Sequence, residues 1–292
     1  MTAKIIDGKR IAQEIETELA AEVRTLKEKG VIPKLAAVLV GDDPASKTYV
    51  ASKERLCAAL GMISETHALP EATEGCELIA LIQSLNRRED LHGVIVQLPL
   101  PEQINEGRVI EAISPEKDVD GFHPLNIGRI LSGEEGFLPA TPQGIVELLV
   151  RSGNPPNGKD VVIVGRSRIV GRPLANLLTR KGVDATVTLC HTMTKDLAAH
   201  ARRADILIAA MGRPRSITED MVKEGAVVVD VGVNRVPDPG AKRGYRLAGD
   251  VDFDAVVRKA SAITPVPGGV GPMTVIMLMK NTVRAARLAS GM

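Results

Sequence analysis

The chain has 292 residues, long for one compact core and comfortable for two. Its 37 basic and 36 acidic side chains nearly cancel, so no net field favours nucleic acid or an anionic membrane, and any anion site must be local. Apolar residues make up 44% of the sequence, yet no run approaches the roughly 18 uninterrupted apolar positions that a membrane-spanning helix needs.

The first eight residues set Asp7 and Gly8 where a secretory signal would carry its apolar stretch, so a cytoplasmic protein is expected. Cys57, Cys76 and Cys190 are odd in number and fit neither a disulfide framework nor a zinc knuckle; three reduced, mostly buried thiols are expected. No two of the five histidines are spaced as ligands on one helix turn, and no metal is expected.

Apolar β-branched runs alternate with amphipathic stretches, which predicts an α/β fold built of βαβ units around a largely parallel sheet. In the first half, periodicity predicts helices over 8–29, 44–60, 74–86 and around 104–113. Strands are expected at 35–40, 63–69 and 93–97. From Ser114 to Pro142 a series of prolines and glycines interrupts any long element, and this section is expected to be the crossing between two lobes. Thr141-Pro142 then has the form of a helix start.

A turn cluster at 154–159 precedes 160–164, the cleanest strand in the sequence, and further strands are expected at 185–190, 206–210 and 227–231. Residues 236–246 suggest an exposed polar hairpin or loop. The glycine- and proline-rich 265–272 leads into an apolar helix from Met273 to about Leu288, which has no strand after it and is expected to return to the first lobe. The expected division is therefore 1–140 plus 273–292 as a substrate lobe and 141–272 as a Rossmann-like dinucleotide lobe.

The strand 160–164 runs into Gly165-Arg166-Ser167-Arg168-Ile169-Val170-Gly171 and then a helix. Strand, glycine turn and helix N-terminus together offer backbone N–H groups and a positive dipole end to a phosphate. Ser167 stands where the usual dinucleotide pattern has its middle glycine, which predicts a wider loop. The next strand ends in Cys190-His191-Thr192, without the carboxylate that grips a ribose in NAD-preferring folds. Arg166, Arg168 and His191 could attract an extra phosphate, so the cofactor expected is NADP ahead of NAD; the alternative for the arginines is a solvated loop face.

On the helix predicted over 44–60, Tyr49 and Lys53 are four residues apart and share a face, with Ser46 one turn back. The sequence has two tyrosines and no tryptophan, which makes Tyr49 a candidate platform for a flat heterocycle. A lysine shielded beside an aromatic wall can transfer protons near neutral pH, although solvated helix lysines are far commoner. Gln97 ends the strand 93–97, where ligands of open α/β sheets collect; it could equally bond the following turn. In Asp118-Val119-Asp120-Gly121, a carboxylate could take paired hydrogen bonds from an amino-pyrimidine, or simply form a turn. Pro267-Gly268-Gly269 lacks bulk and allows close backbone approach to a ligand, or is no more than a helix-entry loop.

Four segments in order, 46–53 (Ser-Lys-Thr-Tyr-Val-Ala-Ser-Lys), 117–129, 164–173 and 265–274, resemble the methylenetetrahydrofolate dehydrogenase/cyclohydrolase (FolD) family over nearly the whole chain. The resemblance implies oxidation of methylenetetrahydrofolate with NADP, then hydrolysis to formyltetrahydrofolate, in one-carbon metabolism. It further implies that Lys53 is the principal catalytic residue, that Gln97 assists it, that Tyr49 packs on the folate and that Asp120 anchors the pterin. Ser46, Pro267, Gly268 and Gly269 join them as expected substrate contacts. The cofactor set is Gly165, Arg166, Ser167, Arg168, Ile169, Val170, Gly171, His191, Thr192 and Val233. Thr192 stands where some members carry a serine. Members are usually dimeric through the nucleotide lobe, so a homodimer is expected. The rival readings are a two-lobed dehydrogenase of a small hydroxy- or amino-acid, a non-catalytic dinucleotide sensor, and a family member with dehydrogenase activity alone.

Overall fold

The computed structural model describes residues 2–241 and 244–292; the middle of the hairpin or loop expected at 236–246 lies outside the described residues. In chain order the first elements are β1 (Lys4–Ile5), α1 (Gly8–Glu28), β2 (Lys34–Val40), α2 (Pro44–Leu60), β3 (Ile63–Leu69), α3 (Gly75–Asn86) and β4 (Gly93–Val96). After them come α4 (Glu106–Ala112), α5 (Pro124–Ser132), α6 (Ala140–Arg151), β5 (Asp160–Val164), α7 (Gly171–Leu178), β6 (Thr186–Cys190) and α8 (Leu197–Ala201). The remainder is β7 (Ile206–Ala209), β8 (Val227–Asp230), β9 (Asn234–Pro237), β10 (Tyr245–Ala248), α9 (Phe253–Val256), β11 (Ala262–Ile263) and α10 (Val270–Ala289).

The chain divides into two compact units, Met1–Gln13 with Thr141–Thr274, and Glu14–Ala140 with Val275–Met292. The second holds a three-stranded parallel sheet in the order β3-β2-β4. All four residues of β4 and six of the seven of β2 are buried, the near-continuous apolar run of a strand covered on both faces. Leu78, Ile82 and Leu85 from α3 pack with Ala36, Val38 and Val94 in its core. Each fully buried side chain of the Leu or Ile kind contributes roughly 1.5–3 kcal/mol of transfer free energy.

The other unit holds a six-stranded parallel sheet in the order β1-β11-β8-β7-β5-β6, with the antiparallel pair β9 and β10 apart from it. The fold is the α/β class expected, with a Rossmann-like unit built on parallel strands.

Two expectations need correction. The first thirteen residues do not belong with 14–140: Lys4 and Ile5 pair with Ala262 and Ile263 and close one edge of the six-stranded sheet. A two-residue strand is too short to carry a periodicity, and its partner lies more than 250 positions away in the sequence. The section 114–142 is also not all loop, because it contains α5. His123 caps the Leu125 N–H, Pro124 occupies the first turn and Gly133 closes the helix in the left-handed conformation at φ 77°. The punctuation read as breaks is the start and stop of one helix.

Candidate active site

The central lysine is best understood from its helix. Asp43 caps α2 by accepting the Ser46 N–H at 2.7 Å, and Pro44 enters its first turn. Ser46, Val50, Cys57 and Leu60 form the buried stripe of α2, and Lys53 falls in the middle of it by helical spacing. Cys57 touches Met279 of α10 at 3.2 Å, so that stripe faces the interior of the Glu14–Ala140 unit. Lys53 is therefore half-buried, not a solvated helix lysine.

Its ammonium donates to Gln97 Oε1 at 3.1 Å. Gln97 follows β4, and its own Nε2 donates to the Leu98 carbonyl at 2.8 Å. The turn contact left open for this residue is present and fixes the amide, and the fixed amide presents an oxygen to the lysine. Burial lowers the Lys53 pKa, opposed by the negative charge of Asp120.

Asp120 reaches the same region because residues 117–119 run beside β4, with the Val94 N–H donating to the Lys117 carbonyl at 2.9 Å. Burial pushes the Asp120 carboxyl up to about 6, against the pull of Lys53 and with the help of Asp118. Among the described residues no N–H or O–H is bonded to the Asp120 carboxylate. Asp118 is its opposite, a fully enclosed carboxylate that accepts from the Phe122 N–H (3.1 Å), the His123 N–H (2.8 Å) and Asn126 Nδ2 (2.9 Å). One aspartate of the pair builds the turn, and the carboxylate of the other accepts no hydrogen bond among the described residues. Gly121 completes the turn at φ 75°, where an added Cβ would meet the Leu138 carbonyl carbon at 2.6 Å.

Tyr49 is 47% exposed on α2, free to present its ring, whereas Ser46 is 3% exposed and supports the helix from inside. Asn281 was missed by sequence reasoning; buried on α10, it donates to the Val119 carbonyl (2.8 Å) and the Leu138 carbonyl (2.9 Å) and so pins both flanks of Asp120-Gly121. Nothing but burial distinguishes this asparagine, so no sequence signal could have found it.

In the other unit, a cavity of about 480 Å³ opens at the carboxyl ends of β5, β6 and β7. Of the expected cofactor residues, Gly165, Arg166, Ser167, His191 and Thr192 line it. Arg168, Ile169, Val170, Gly171 and Val233 do not. Gly165 adopts φ 125° and an added Cβ would sit 2.0 Å from the Ala210 carbonyl oxygen; at Gly171 it would sit 1.9 Å from the Gly165 carbonyl oxygen. These two glycines are therefore required by backbone packing. Ser167 replaces the middle glycine and gives its hydroxyl oxygen to the Val170 N–H (3.1 Å) and the Gly171 N–H (3.4 Å), meeting orphan donors at the start of α7. Thr194, Met211 and Arg213 also line the wall and were missed, although Met211 and Arg213 lie in the turn after the end of β7.

The glycine loop before α10 has a local explanation. Gly268 accepts the Lys9 N–H at 3.2 Å, and an added Cβ on Gly8 would meet the Gly269 carbonyl oxygen at 1.8 Å. Pro267 is exposed beside them. Of the thiols, Cys57 and Cys190 are buried and Cys76 is exposed, and all three are free, in line with the mostly buried, reduced set expected.

Residues 6–120 match the tetrahydrofolate dehydrogenase/cyclohydrolase catalytic domain, and residues 139–290 match the NAD(P)-binding domain of the same enzymes. The chain belongs to the tetrahydrofolate dehydrogenase/cyclohydrolase family. Within this family it is 55% identical to the bifunctional protein FolD of Salinibacter ruber, over 98% of this chain and 96% of the relative. It is likewise 55% identical to FolD of Moorella thermoacetica, over 98% of this chain and all of the relative. Among solved structures, the bifunctional FolD enzyme of Campylobacter jejuni superposes with a TM-score of 0.93 at 48% identity, covering 98% of this chain and 99% of that one. The Trypanosoma brucei dehydrogenase-cyclohydrolase, solved with NADP and an inhibitor, superposes with a TM-score of 0.94 at 40% identity, covering 99% of each chain. Shikimate 5-dehydrogenase of Thermus thermophilus, at 17% identity and a TM-score of 0.54, shares the fold alone.

Proposed function

We propose that this family member oxidises methylenetetrahydrofolate to methenyltetrahydrofolate with NADP and hydrolyses the product to formyltetrahydrofolate. The observation that carries the reading is the Lys53–Gln97 contact beside Asp120, in a chain that aligns end to end with bifunctional relatives. A sensor that only binds dinucleotide has no use for a shielded lysine with a lowered pKa, and neither does a dehydrogenase acting alone.

Hydride loss from the bridging methylene leaves a cation shared by two nitrogens, which needs positioning more than a base. When bound, NADP supplies the nicotinamide ring that accepts the hydride. Gly165, Arg166, Ser167, His191, Thr192 and Arg213 would hold the nucleotide, and their fit rests on a cavity with glycine-cleared backbone, two guanidinium groups and no carboxylate on its wall.

Hydrolysis follows at the methenyl carbon. Water forms the new C–O bond and sheds one proton; one C–N bond then breaks as its nitrogen takes a proton, and the remaining hydroxyl proton leaves to solvent as the formyl C=O forms, so that one proton is released overall. A neutral Lys53 amine receives the first proton and, as ammonium, returns one to nitrogen. Gln97 holds the amine in place. Ionised Asp120 accepts two N–H groups from the amino-pyrimidine edge of the pterin, and Tyr49 stacks against that ring.

The cytoplasmic setting rests on the polar start of the chain and the homodimer on the family resemblance; light scattering on purified protein at about 62 kDa, twice the 31.1 kDa chain, supports the dimer and about 31 kDa overturns it. The function itself is tested by one absorbance assay with methylenetetrahydrofolate and either NADP or NAD, following reduced nicotinamide and the methenyl chromophore separately. Nicotinamide reduction with lasting accumulation of the methenyl product would remove the hydrolase half of the reading.

A further inference from the structure

Two carboxylates that the chemistry above does not use are enclosed behind the nucleotide cavity. Asp250 is 0% exposed and Asp230 is 3% exposed. Asp250 Oδ2 accepts the N–H groups of Met211 (2.7 Å) and Gly212 (2.9 Å), while its Oδ1 accepts those of Arg213 (2.9 Å) and of the Asn234 side chain (2.9 Å). Asp230 in turn accepts the N–H groups of Gly232 (3.0 Å), Asp250 (2.9 Å) and Val251 (2.9 Å), locking the segment that carries Asp250.

The backbone is cut away to admit both groups. An added Cβ on Gly232 would lie 2.2 Å from Asp250 Oδ1, and one on Gly249 would lie 1.8 Å from Asp230 Oδ2. Three consecutive N–H groups converging on one carboxylate fix the path of the 211–213 turn, which sends Met211 and Arg213 to the cavity wall. Without the carboxylate those donors would be left unpaired in the interior, and the turn would move to find partners.

We infer that Asp250 is a positioning residue for the dinucleotide: by clamping the N–H groups of 211–213 it sets the wall against which NADP binds, and it acts on nucleotide affinity apart from the folate chemistry at Lys53. This rests on the assignment of the cavity to NADP. Asp250→Asn keeps the size of the side chain but turns one acceptor into a donor facing N–H groups.

The test combines calorimetric titration with NADP, steady-state dehydrogenase kinetics, and hydrolysis of methenyltetrahydrofolate without nucleotide. For Asp250→Asn, the NADP Kd and KM are expected to rise at least tenfold, with kcat at saturation changed less than threefold and methenyl hydrolysis within twofold. An unchanged Kd overturns the inference, and so does a parallel loss of kcat and hydrolysis, which would mark a general structural role. Should this variant not fold, Asn234→Ala removes only one of the four donors and is expected to raise the NADP Kd about threefold; an unchanged Kd there also overturns it. If the parent protein binds neither NADP nor NAD, the cofactor assignment itself falls.

Discussion

Gln97 faces Lys53 with its carbonyl oxygen because its amide nitrogen is already committed to the Leu98 carbonyl. A neutral acceptor holds the amine without adding the charge that would keep it protonated, so burial can lower its pKa. Gln97→Glu is therefore expected to impair hydrolysis more than Gln97→Ala, because a carboxylate would raise the lysine pKa. Rates of methenyl hydrolysis at pH 7 decide this, and equal losses would remove the electrostatic part of the role.

Lys53→Met keeps the apolar stem in the buried stripe of α2 and removes the amine. Methenyl hydrolysis is expected to fall by about 10²–10⁴-fold, the usual contribution of a positioned acid–base group. The melting temperature should stay within a few degrees. Full retention of hydrolysis in the folded variant would sink the role of Lys53.

The neutral amine is the working form, so hydrolysis should rise with pH until the lowered Lys53 pKa is passed and then level off. Replacement by arginine, which stays protonated, should abolish that rise. A pH–rate profile checks both.

Asp120 has the opposite sign for stability. Its carboxyl is pushed up to about 6 from the ordinary 3.8, so the folded state holds its proton more tightly than the unfolded chain between those values. Stability is lost as pH rises through that window, and the cost persists above it. Asp120→Asn is expected to gain about 1–2 kcal/mol at pH 7.5, a figure reduced for partial solvent access, with the gain shrinking towards pH 4. Substrate KM should rise at the same time. Urea unfolding at the two pH values, with kinetics at pH 7.5, measures the trade.

Arg166 and His191 line the nucleotide cavity and no carboxylate does. Arg166→Ala is expected to cut the preference for NADP over NAD by tenfold or more, the loss of one charge-assisted contact to phosphate. Comparison of kcat/KM for the two nucleotides reads the change directly.

Much of this protein is written locally in its sequence. The alternation of apolar runs and amphipathic stretches determined the α/β class, since periods of 2 and 3.6 are imposed by the backbone wherever the segment later packs. The spacing of Tyr49 and Lys53, and the glycine turn after 160–164, were legible for the same reason. That Lys53 is shielded was not legible in the same way, because a solvated helix lysine was the commoner outcome and only the packing of the face carrying Ser46, Val50, Cys57 and Leu60 decided it.

Only the tertiary structure decided the rest. Whether Gln97 served the turn or the lysine, and which of Asp118 and Asp120 was open, depended on donors brought in from other segments. The place of Lys4–Ile5 at a sheet edge, the pinning of Asp120-Gly121 by Asn281, and the Asp250 clamp all join residues separated by tens to hundreds of positions. Sequence periodicity reports the surroundings of a segment averaged over its faces. A hydrogen bond between distant groups depends on single atoms meeting within about 3 Å, and only the folded chain sets that distance.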